Sequence, residues 1–280
     1  MTFDLTAAVA FTATHARLLD RRRLDLALGP YAPDDGNDGD RDDAVSPDGV
    51  LAALDAHRNP DGGYGWGLEP DLRAAESQPA AAMHALEVLA EVGPVASPRA
   101  AEVFDWLDRH TLADGGLPFV LPINDPTGCA PWWAAGDPTT SSLQMTAQVA
   151  ARAHLVARHD PDVARHPWLD RATAWCLDAV RAMDARPHAY ELLFALQFLD
   201  AATATVPEAG GLLDRLAAFL PPDGALPVEG GAEGETLRPL DVAPVPDRPV
   251  RRLFSPEVIA ADLDRLDGDQ QPDGGWVVDF

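Results

Sequence analysis

The chain has 280 residues, of which 46% are hydrophobic, and it carries a formal net charge of −24 with an isoelectric point near 4.4. Such acidity disfavours nucleic acids and anionic membrane surfaces as partners, because both would be repelled. All 21 basic residues are arginine. A lysine Schiff base and a Walker-type phosphate loop, which both require lysine, are therefore excluded.

The cysteines and the apolar segments indicate in which cellular compartment the protein is expected. Cys129 and Cys176 are not part of a CxxC pair, so neither a disulfide framework nor a zinc ribbon is indicated. The N-terminal residues include Asp4 and lack a basic segment, which is unlike a signal peptide. No apolar run approaches the ~20 residues of a membrane span. We therefore expect a cytoplasmic protein with reduced thiols and no membrane span, whose oligomeric state is left open.

Helical periodicity recurs along the chain, whereas no sustained alternation of apolar and polar residues predicts a strand. An acidic and flexible loop is expected over 31–47. Two further long loops, Leu117–Pro138 and Pro221–Pro249, exceed the usual limit of ~12–15 residues and are interpreted as lids or rim segments. The predicted helices are Phe3–Leu28, Asp48–His57, Gln78–Val92, Pro98–His110, Ser141–His159, Pro167–Met183, His188–Ala202, Leu212–Leu220 and Pro256–Leu266.

A turn that begins with Asp and Gly recurs between the helices. Its Asp stands at 61, 114, 223 and 273, so that the gaps of 53, 109 and 50 residues indicate a repeat of roughly fifty residues. The Asp side chain is suited to accept a hydrogen bond from a backbone N–H one or two residues on, and Gly supplies a positive φ. The aromatic residue that follows is expected to fold back over the helix ends.

Helix pairs repeated in this way cannot bury their inner faces alone and must stack on one another. The prediction is an all-α fold, a single α/α-toroid domain over 1–280 with about five helix pairs. The chain ends at Phe280, directly after a turn that should lead into a helix. Either the N-terminal helix packs there, or the natural chain continues past 280; the second alternative is preferred.

One of these turns has a known counterpart. The segment Gln271-Pro272-Asp273-Gly274-Gly275-Trp276 looks like the QW repeat of triterpene cyclases, and Asn59–Trp66 resembles the same repeat without its Gln. The spacing and the helix pairs resemble the α/α-toroid superfamily of terpenoid cyclases and protein prenyltransferases. The resemblance implies an apolar isoprenoid substrate in a central cavity. Since toroids also include polysaccharide lyases and lanthipeptide cyclases, the activity stays open.

The acidic loop contains two motif matches. Asp40-Arg41-Asp42-Asp43 resembles the DXDD motif of class II terpenoid cyclases, which implies that Asp42 is a catalytic acid. The helix that normally follows that motif starts several residues later here. Asp34-Asp35-Gly36-Asn37-Asp38 formally matches a DDxxD metal motif, but its glycines disfavour the helix that this motif needs. A solvated surface loop and a Ca²⁺ loop are the alternatives. We expect no cofactor, with Mg²⁺ needed only for a diphosphate substrate.

A second group of charged residues follows the first turn. Glu69 and Asp71 are interpreted as a catalytic general acid and base near the cavity rim, and Arg73 as the cation that a diphosphate substrate would need. The alternative is structural, with the two carboxylates capping the next helix or pairing with Arg73.

Aromatic residues form the predicted substrate wall. Trp132 and Trp133 are adjacent in a loop, so both indoles cannot enter one core unless the backbone turns. Together with Trp66 and Tyr190 they are predicted to line a pocket that binds apolar groups and stabilises carbocations. The alternative for Trp132 and Trp133 is packing of their loop onto the end of the barrel. For Trp66 it is a structural role in the turn, and for Tyr190 it is exposure at the N-terminus of its helix.

Three functions fit these patterns, and whether the chain is catalytic is left open. The first is a terpenoid-cyclase-like enzyme that uses carboxylic acids to start cyclisation of an isoprenoid. The second is a non-catalytic toroid that binds a lipid or a peptide. The third is a carbohydrate-active toroid with paired carboxylates.

Overall fold

The computed structural model describes residues 3–29, 46–93 and 97–277, and its regular structure is nearly all helical. Short 3₁₀ segments occur at Asp55–His57, Ala217–Phe219 and Pro249–Leu253. The strands β1 (Leu226–Pro227) and β2 (Thr236–Leu237) pair antiparallel. The α-helices are α1 (Leu5–His15), α2 (Leu18–Leu28), α3 (Pro47–Leu54), α4 (Pro79–Glu91), α5 (Pro98–His110), α6 (Pro131–Ala135), α7 (Leu143–Ala157), α8 (Pro161–Ala164), α9 (Pro167–Arg181), α10 (Ala189–Ala202), α11 (Ala209–Leu216), α12 (Pro239–Val242) and α13 (Pro256–Asp269).

The all-α prediction is confirmed, with differences in detail. The helix predicted over Phe3–Leu28 is two helices, because Arg17 has an extended backbone between them. The Arg17 guanidinium donates to the carbonyl oxygens of Gly67 and Leu68 at 2.9 and 3.0 Å, a distant contact that the periodicity does not report. The predicted loop Pro221–Pro249 contains the small β-hairpin and α12. None of the described helices is long and apolar enough to cross a membrane.

The chain divides into two compact units. The first unit is Ala16–Cys176, and the second unit combines Met1–His15 with Leu177–Phe280. In the first unit α4 packs on α7, and the buried residues include Leu86 and Val149. In the second unit α10 packs on α11 and α12. The single domain expected over 1–280 stays a prediction.

The two copies of the repeated turn in the first unit share the same set of hydrogen bonds. Asp61 Oδ1 accepts from the N–H of Gly63 at 2.9 Å and from Ser77 Oγ at 2.8 Å, while its Oδ2 accepts from Trp106 Nε1 at 3.0 Å. Asp114 repeats the set with another glycine, serine and tryptophan. Its carboxylate accepts from Gly116 N at 3.2 Å, Ser141 Oγ at 2.6 Å and Trp175 Nε1 at 3.2 Å. The predicted role of the Asp residues in these turns is confirmed.

The second glycine of each turn is required by close packing. A Cβ added at Gly63 would lie 2.6 Å from the Trp106 ring, and one added at Gly116 would lie 2.7 Å from the Trp175 ring. Gly62, by contrast, is needed for its φ of +88°. Each indole therefore lies directly on the backbone of the turn.

In the second unit, the last turn contacts the N-terminal helix. Asp273 Oδ1 accepts from the N–H of Gly275 at 3.1 Å. Gly275 packs against the ring of Phe11 on α1, and Gln270 exchanges hydrogen bonds with the backbone of Asp4 at 2.9 and 3.0 Å. The last turn is therefore held against α1 by both ring packing and hydrogen bonds.

Candidate active site

Glu69 and Asp71 lie in the loop that joins the first turn to α4. Their neighbours Leu68 and Leu72 are both 2% exposed, which anchors the loop in the core of the first unit. The carbonyl oxygen of Asp71 accepts from the N–H of Ala130 at 2.7 Å. Two contacts therefore hold the loop: the apolar packing of Leu68 and Leu72, and the backbone hydrogen bond to the segment that precedes α6.

The carboxyl group of Asp71 has an aromatic neighbour. Trp133 on α6 donates from Nε1 to Asp71 Oδ1 at 2.8 Å. The indole is buried and stacks on Phe119, with ring centroids 4.7 Å apart and an angle of 11° between the planes. An apolar, polarisable wall therefore lies beside one oxygen of Asp71.

Glu69 belongs to a chain of charges. His84 on α4 contacts Glu69 Oε2 through Nε2 at 2.9 Å and Glu87 Oε2 through Nδ1 at 3.3 Å. Arg152 on α7 approaches Glu87 at 3.8 Å, and Arg23 on α2 approaches it at 3.3 Å. The side chains of Glu69 and His84 are only 19% and 24% exposed, so these charges interact in a partly desolvated site.

The surroundings shift the two carboxyl pKa values in opposite directions. Burial and the nearby charge of Glu69 raise the pKa of Asp71, although the Trp133 hydrogen bond opposes this. Burial also acts to raise the pKa of Glu69, but the hydrogen bond and charge of His84 bring it below its ordinary value. The two carboxyl groups are within hydrogen-bonding reach of each other. Two interacting carboxyl groups of this kind ionise in steps, because the charge of the first opposes the ionisation of the second.

His84 is an imidazolium cation at neutral pH. Burial by itself would lower its pKa, but the hydrogen bonds and charges of Glu69 and Glu87 raise the pKa to about 9. Burial raises the pKa of Glu87, but His84, Arg152 and Arg23 together lower it to about 2. The site therefore places two interacting carboxyl groups, one with a raised pKa and one with a lowered pKa, beside a histidine cation.

A small cavity of about 130 Å³ adjoins the Trp133 ring. The segment that forms its wall is clamped by Gln78, which is 1% exposed: Nε2 donates to Leu121 O at 3.2 Å and Oε1 accepts from Leu121 N at 2.9 Å. The lining residues are Val120, Leu121, Pro122, Ile123, Pro126, Trp133, Ala134, Gly136 and Pro138. An apolar group of a few carbon atoms fits such a space.

Comparison with solved structures decides the fold. It is the fold of the type II terpene cyclases. A ligand-free variant of MstE, a type II terpene cyclase from Scytonema, matches 93% of this chain and 69% of its own, with a TM-score of 0.54 and 18% identity. Another MstE variant, in complex with its substrate geranylgeranyl dihydroxybenzoate, matches 93% of this chain and 70% of its own, with a TM-score of 0.52 and 18% identity.

A third MstE variant, in complex with its product merosterolic acid A, gives the same TM-score of 0.52 and the same identity of 18%, over 93% of this chain and 71% of its own. The sequence matches no protein-family model and no curated protein. The resemblance to terpenoid cyclases and the expected α/α-toroid fold class are thus confirmed at the level of fold.

Three of the predicted site residues do not lie with Glu69 and Asp71 among the described contacts. Asp42 and the acidic loop up to residue 45 lie outside the described residues, whereas Ser46 caps α3 and Pro47 begins it. Arg73 is exposed and donates to Pro70 O at 3.2 Å, so among the described contacts it does not pair with Glu69 or Asp71. Tyr190 lies on α10 in the second unit and donates to Glu235 Oε1 at 2.6 Å.

The tryptophans of the predicted wall have different environments. Trp133 is 7% exposed, whereas Trp132 beside it on α6 is 55% exposed, as the turn of a helix requires for adjacent side chains. Trp66 is 58% exposed. The prediction that the two indoles cannot share one core is confirmed.

Sequence reasoning missed His84, Glu87 and Arg152. A signal existed for two of them, because His84 and Glu87 stand three residues apart on α4, whose other central residues are apolar. That spacing places both on one face of a helix. Among the described residues, no group of three or more His, Cys, Asp or Glu side chains is placed to hold a metal ion.

Proposed function

We propose that this protein is a terpenoid-cyclase-like enzyme in which the carboxyl group of Asp71 protonates an alkene of an isoprenoid substrate. The observation that carries the proposal is the carboxyl pair, in which Trp133 donates to Asp71 at 2.8 Å and His84 contacts Glu69 at 2.9 Å. The surroundings as a whole raise the pKa of Asp71 and lower that of Glu69. The similarity to type II terpene cyclases supports the same chemistry. The enclosed central cavity expected from the sequence stays a prediction.

The proposed step begins with proton transfer from Asp71 to the terminal alkene. The π electrons form the new C–H bond, and a tertiary carbocation remains on the neighbouring carbon. The π electrons of the next alkene attack this cation and form the ring bond. Loss of a proton to a carboxylate ends the sequence, so the product is an isomer of the substrate and needs no oxidant or reductant.

Glu69 and His84 act on this step through Asp71. In the proposed step, His84 lowers the pKa of Glu69, and the Glu69 carboxylate accepts a hydrogen bond from Asp71 when Asp71 is protonated. They are positioning residues, since their contribution is to hold the proton on the oxygen that delivers it. Trp133 contributes an apolar surface next to that acid, where the face of an indole stabilises positive charge.

Incubation with a panel of isoprenoid alcohols, acids and diphosphates tests the proposal, with products followed by mass spectrometry and gas chromatography. We expect a cyclised isomer of at least one substrate, and a fall in rate of at least ~10²-fold in Asp71→Asn, which lacks the acid. Asp125→Asn is the matched control, because Asp125 is exposed in the same unit and its carboxylate accepts hydrogen bonds from Thr127, the N–H lying at 3.0 Å.

Other results of these experiments would indicate either a different function or a different catalytic acid. An isoprenoid that binds but is recovered unchanged, with the same affinity in Asp71→Asn, would indicate the non-catalytic lipid-binding alternative. Cleavage of an oligosaccharide that requires both Glu69 and Asp71 would indicate the carbohydrate-active alternative. Full cyclase activity in Asp71→Asn would leave Asp42 as the acid.

A further inference from the structure

Exposed apolar side chains are concentrated at one place in the second unit. Five of the nine large apolar side chains that are exposed among the described residues lie there: Phe3, Leu263, Leu266, Trp276 and Val277. We call this set the α13 patch. Single exposed apolar residues are common on protein surfaces, whereas a contiguous group marks a surface that another molecule covers.

Contacts join the α13 patch into one surface. The rings of Phe3 and Trp276 stack with centroids 5.6 Å apart and an angle of 28° between their planes. Trp276 Nε1 donates to Leu266 O on α13 at 2.8 Å, so the indole is fixed on that helix and its one polar atom is already bonded. Leu263 stands three residues before Leu266 and therefore lies on the same face of α13. Val277 follows Trp276 directly and is 72% exposed.

The repeated turn shows that Trp276 occupies a position that is buried elsewhere. It is the third residue after Asp273. The third residues after the other three turn aspartates are Tyr64, Leu117 and Leu226, and each of them is 0% exposed. Trp276 is 37% exposed. The same position is therefore part of the core in three turns and open to solvent in the last turn.

A helix begins against this position in both turns of the first unit. The carbonyl oxygen of Tyr64 accepts from the N–H of Gln78, the residue before α4, at 2.9 Å. The carbonyl oxygen of Leu117 accepts from the N–H of Ser142, the residue before α7, at 2.8 Å. The glycines of the last turn pack on α1, as the glycines of the first turn pack on α5. Among the described residues, however, no helix begins against Trp276 in the place of α4 or α7.

The surroundings of the α13 patch are acidic. The helix α13 has five acidic residues and one arginine, Arg265, which pairs with Asp262 and Asp269. Asp264 and Asp267 stand three residues apart and lie on the row beside the two leucines. A two-fold dimer through this patch would bring the same acidic helix of two copies together, and an anionic bilayer would also be repelled. A basic partner is attracted by the same charges.

We propose that the α13 patch binds a helix of another protein, with an apolar face flanked by lysine or arginine. The helical form follows from the comparison with the two turns of the first unit. The apolar face follows from the exposed side chains, and the basic flanks follow from the charge of α13. No residue of the patch belongs to the candidate active site, so the proposal does not depend on the proposed function.

Fluorescence anisotropy with a labelled amphipathic peptide of leucine and lysine, about 18 residues long, tests the proposal. We expect saturable binding at physiological ionic strength. A peptide of the same composition whose leucines form no helical face should bind at least ~10-fold more weakly. A leucine–glutamate peptide with the same apolar face should bind at least ~10-fold more weakly as well, because its charge matches that of α13.

Removal of the leucines tests the apolar part of the patch. The double variant Leu263→Gln/Leu266→Gln should weaken binding of the leucine–lysine peptide about tenfold or more and keep the melting temperature, since both side chains are exposed. Val277→Gln is a second variant with a smaller expected loss of about threefold, at a residue whose exposure makes misfolding no concern. Leu18→Gln is the matched control, because Leu18 is 57% exposed in the first unit, and it should bind as the wild type does.

Removal of charge tests the acidic part. The double variant Asp264→Asn/Asp267→Asn should weaken binding of the leucine–lysine peptide about three- to tenfold. The matched control is Glu229→Gln/Glu233→Gln, which changes the net charge equally at exposed positions of the second unit and should leave the affinity unchanged. An equal loss of affinity in both double variants would overturn the proposal, because net charge alone would then explain binding.

Cross-linking locates the bound peptide. The chain contains no lysine, so a carbodiimide joins the lysines of the peptide to carboxylates of this protein, and mass spectrometry identifies them. We expect cross-links on Asp264 and Asp267. Cross-links spread evenly over other acidic surfaces would overturn the proposal. Self-association in sedimentation velocity, or binding to phosphatidylcholine vesicles, would also overturn it if Leu263→Gln/Leu266→Gln abolished either one, because the patch would then belong to a second copy or to a bilayer.

Discussion

The indole N–H of Trp133 donates to Oδ1 of Asp71 at 2.8 Å, although 62 residues separate the two along the chain. The hydrogen bond joins the loop after the first turn to the short helix α6. It also opposes the rise in the pKa of Asp71 that burial and Glu69 cause. The packing of α6 therefore influences the acid strength of the candidate catalytic group.

Replacement of Trp133 by Phe should raise the pKa of Asp71 further. The phenyl ring can still stack on Phe119 but has no N–H to stabilise the Asp71 carboxylate. The titration of the Asp71 carboxyl carbon, followed by ¹³C NMR, measures this shift. Trp132→Phe is the control and should leave the titration unchanged, because that indole is exposed. A lower Asp71 pKa in Trp133→Phe would contradict the assigned contact.

His84 should make stability depend on pH in the alkaline range. Its pKa is raised from 6.5 to about 9 in the folded protein. The contribution is therefore complete below pH 6.5 and is lost as the pH rises through 9. We expect His84→Gln to lower the free energy of unfolding by about 1–3 kcal/mol at pH 6.5, since the site is partly solvated, and by less at pH 10.

Urea unfolding of both proteins at the two pH values measures this difference. His159→Gln is the control, because no described carboxylate contacts that histidine, and its effect should differ less between the two pH values than that of His84→Gln. A penalty for His84→Gln that grows between pH 6.5 and pH 10 would refute the assignment of His84 as a cation between Glu69 and Glu87.

Gly63→Ala should destabilise the first turn. The added Cβ would lie 2.6 Å from the Trp106 ring, so the indole has to move from Asp61. We expect a loss of about 1–3 kcal/mol, measured by thermal unfolding. Gly210→Ala is the matched control: its Cβ would meet nothing within 4 Å on α11, so it should be neutral or stabilise by up to about 1 kcal/mol. Equal melting temperatures for the two variants would argue against the packing requirement.

Gln78→Leu should release the wall of the cavity beside Trp133. It removes both hydrogen bonds to the backbone of Leu121 and leaves those groups without their partner. We expect a cost of about 1–3 kcal/mol and faster hydrogen exchange of the Leu121 amide. Hydrogen–deuterium exchange with peptide resolution measures it, and the peptide around Gly210 in the second unit should not change. Unchanged protection of Leu121 would show that Gln78 is not the clamp.

Much of the local structure was predictable because its causes lie within a few residues. The helix Pro98–His110 has the predicted bounds, since Ser97 caps it through Arg99 N and Pro98 begins it. The bonds from Asp61 and Asp114 to the N–H two residues on were likewise predictable from turn chemistry. The break before Arg17 was not, because Gly67 and Leu68 hold that side chain from 50 residues away.

In the candidate site, too, the features with local causes were predictable and those with distant causes were not. Glu69 and Asp71 could be singled out as paired carboxylates in one loop, because their proximity follows from their spacing. The opposite shifts of their pKa values could not be predicted, because these depend on burial and on two distant side chains, Trp133 and His84. Periodicity and turn chemistry express contacts between near neighbours, whereas desolvation and charge pairing exist only once α4 and α6 have packed around the loop.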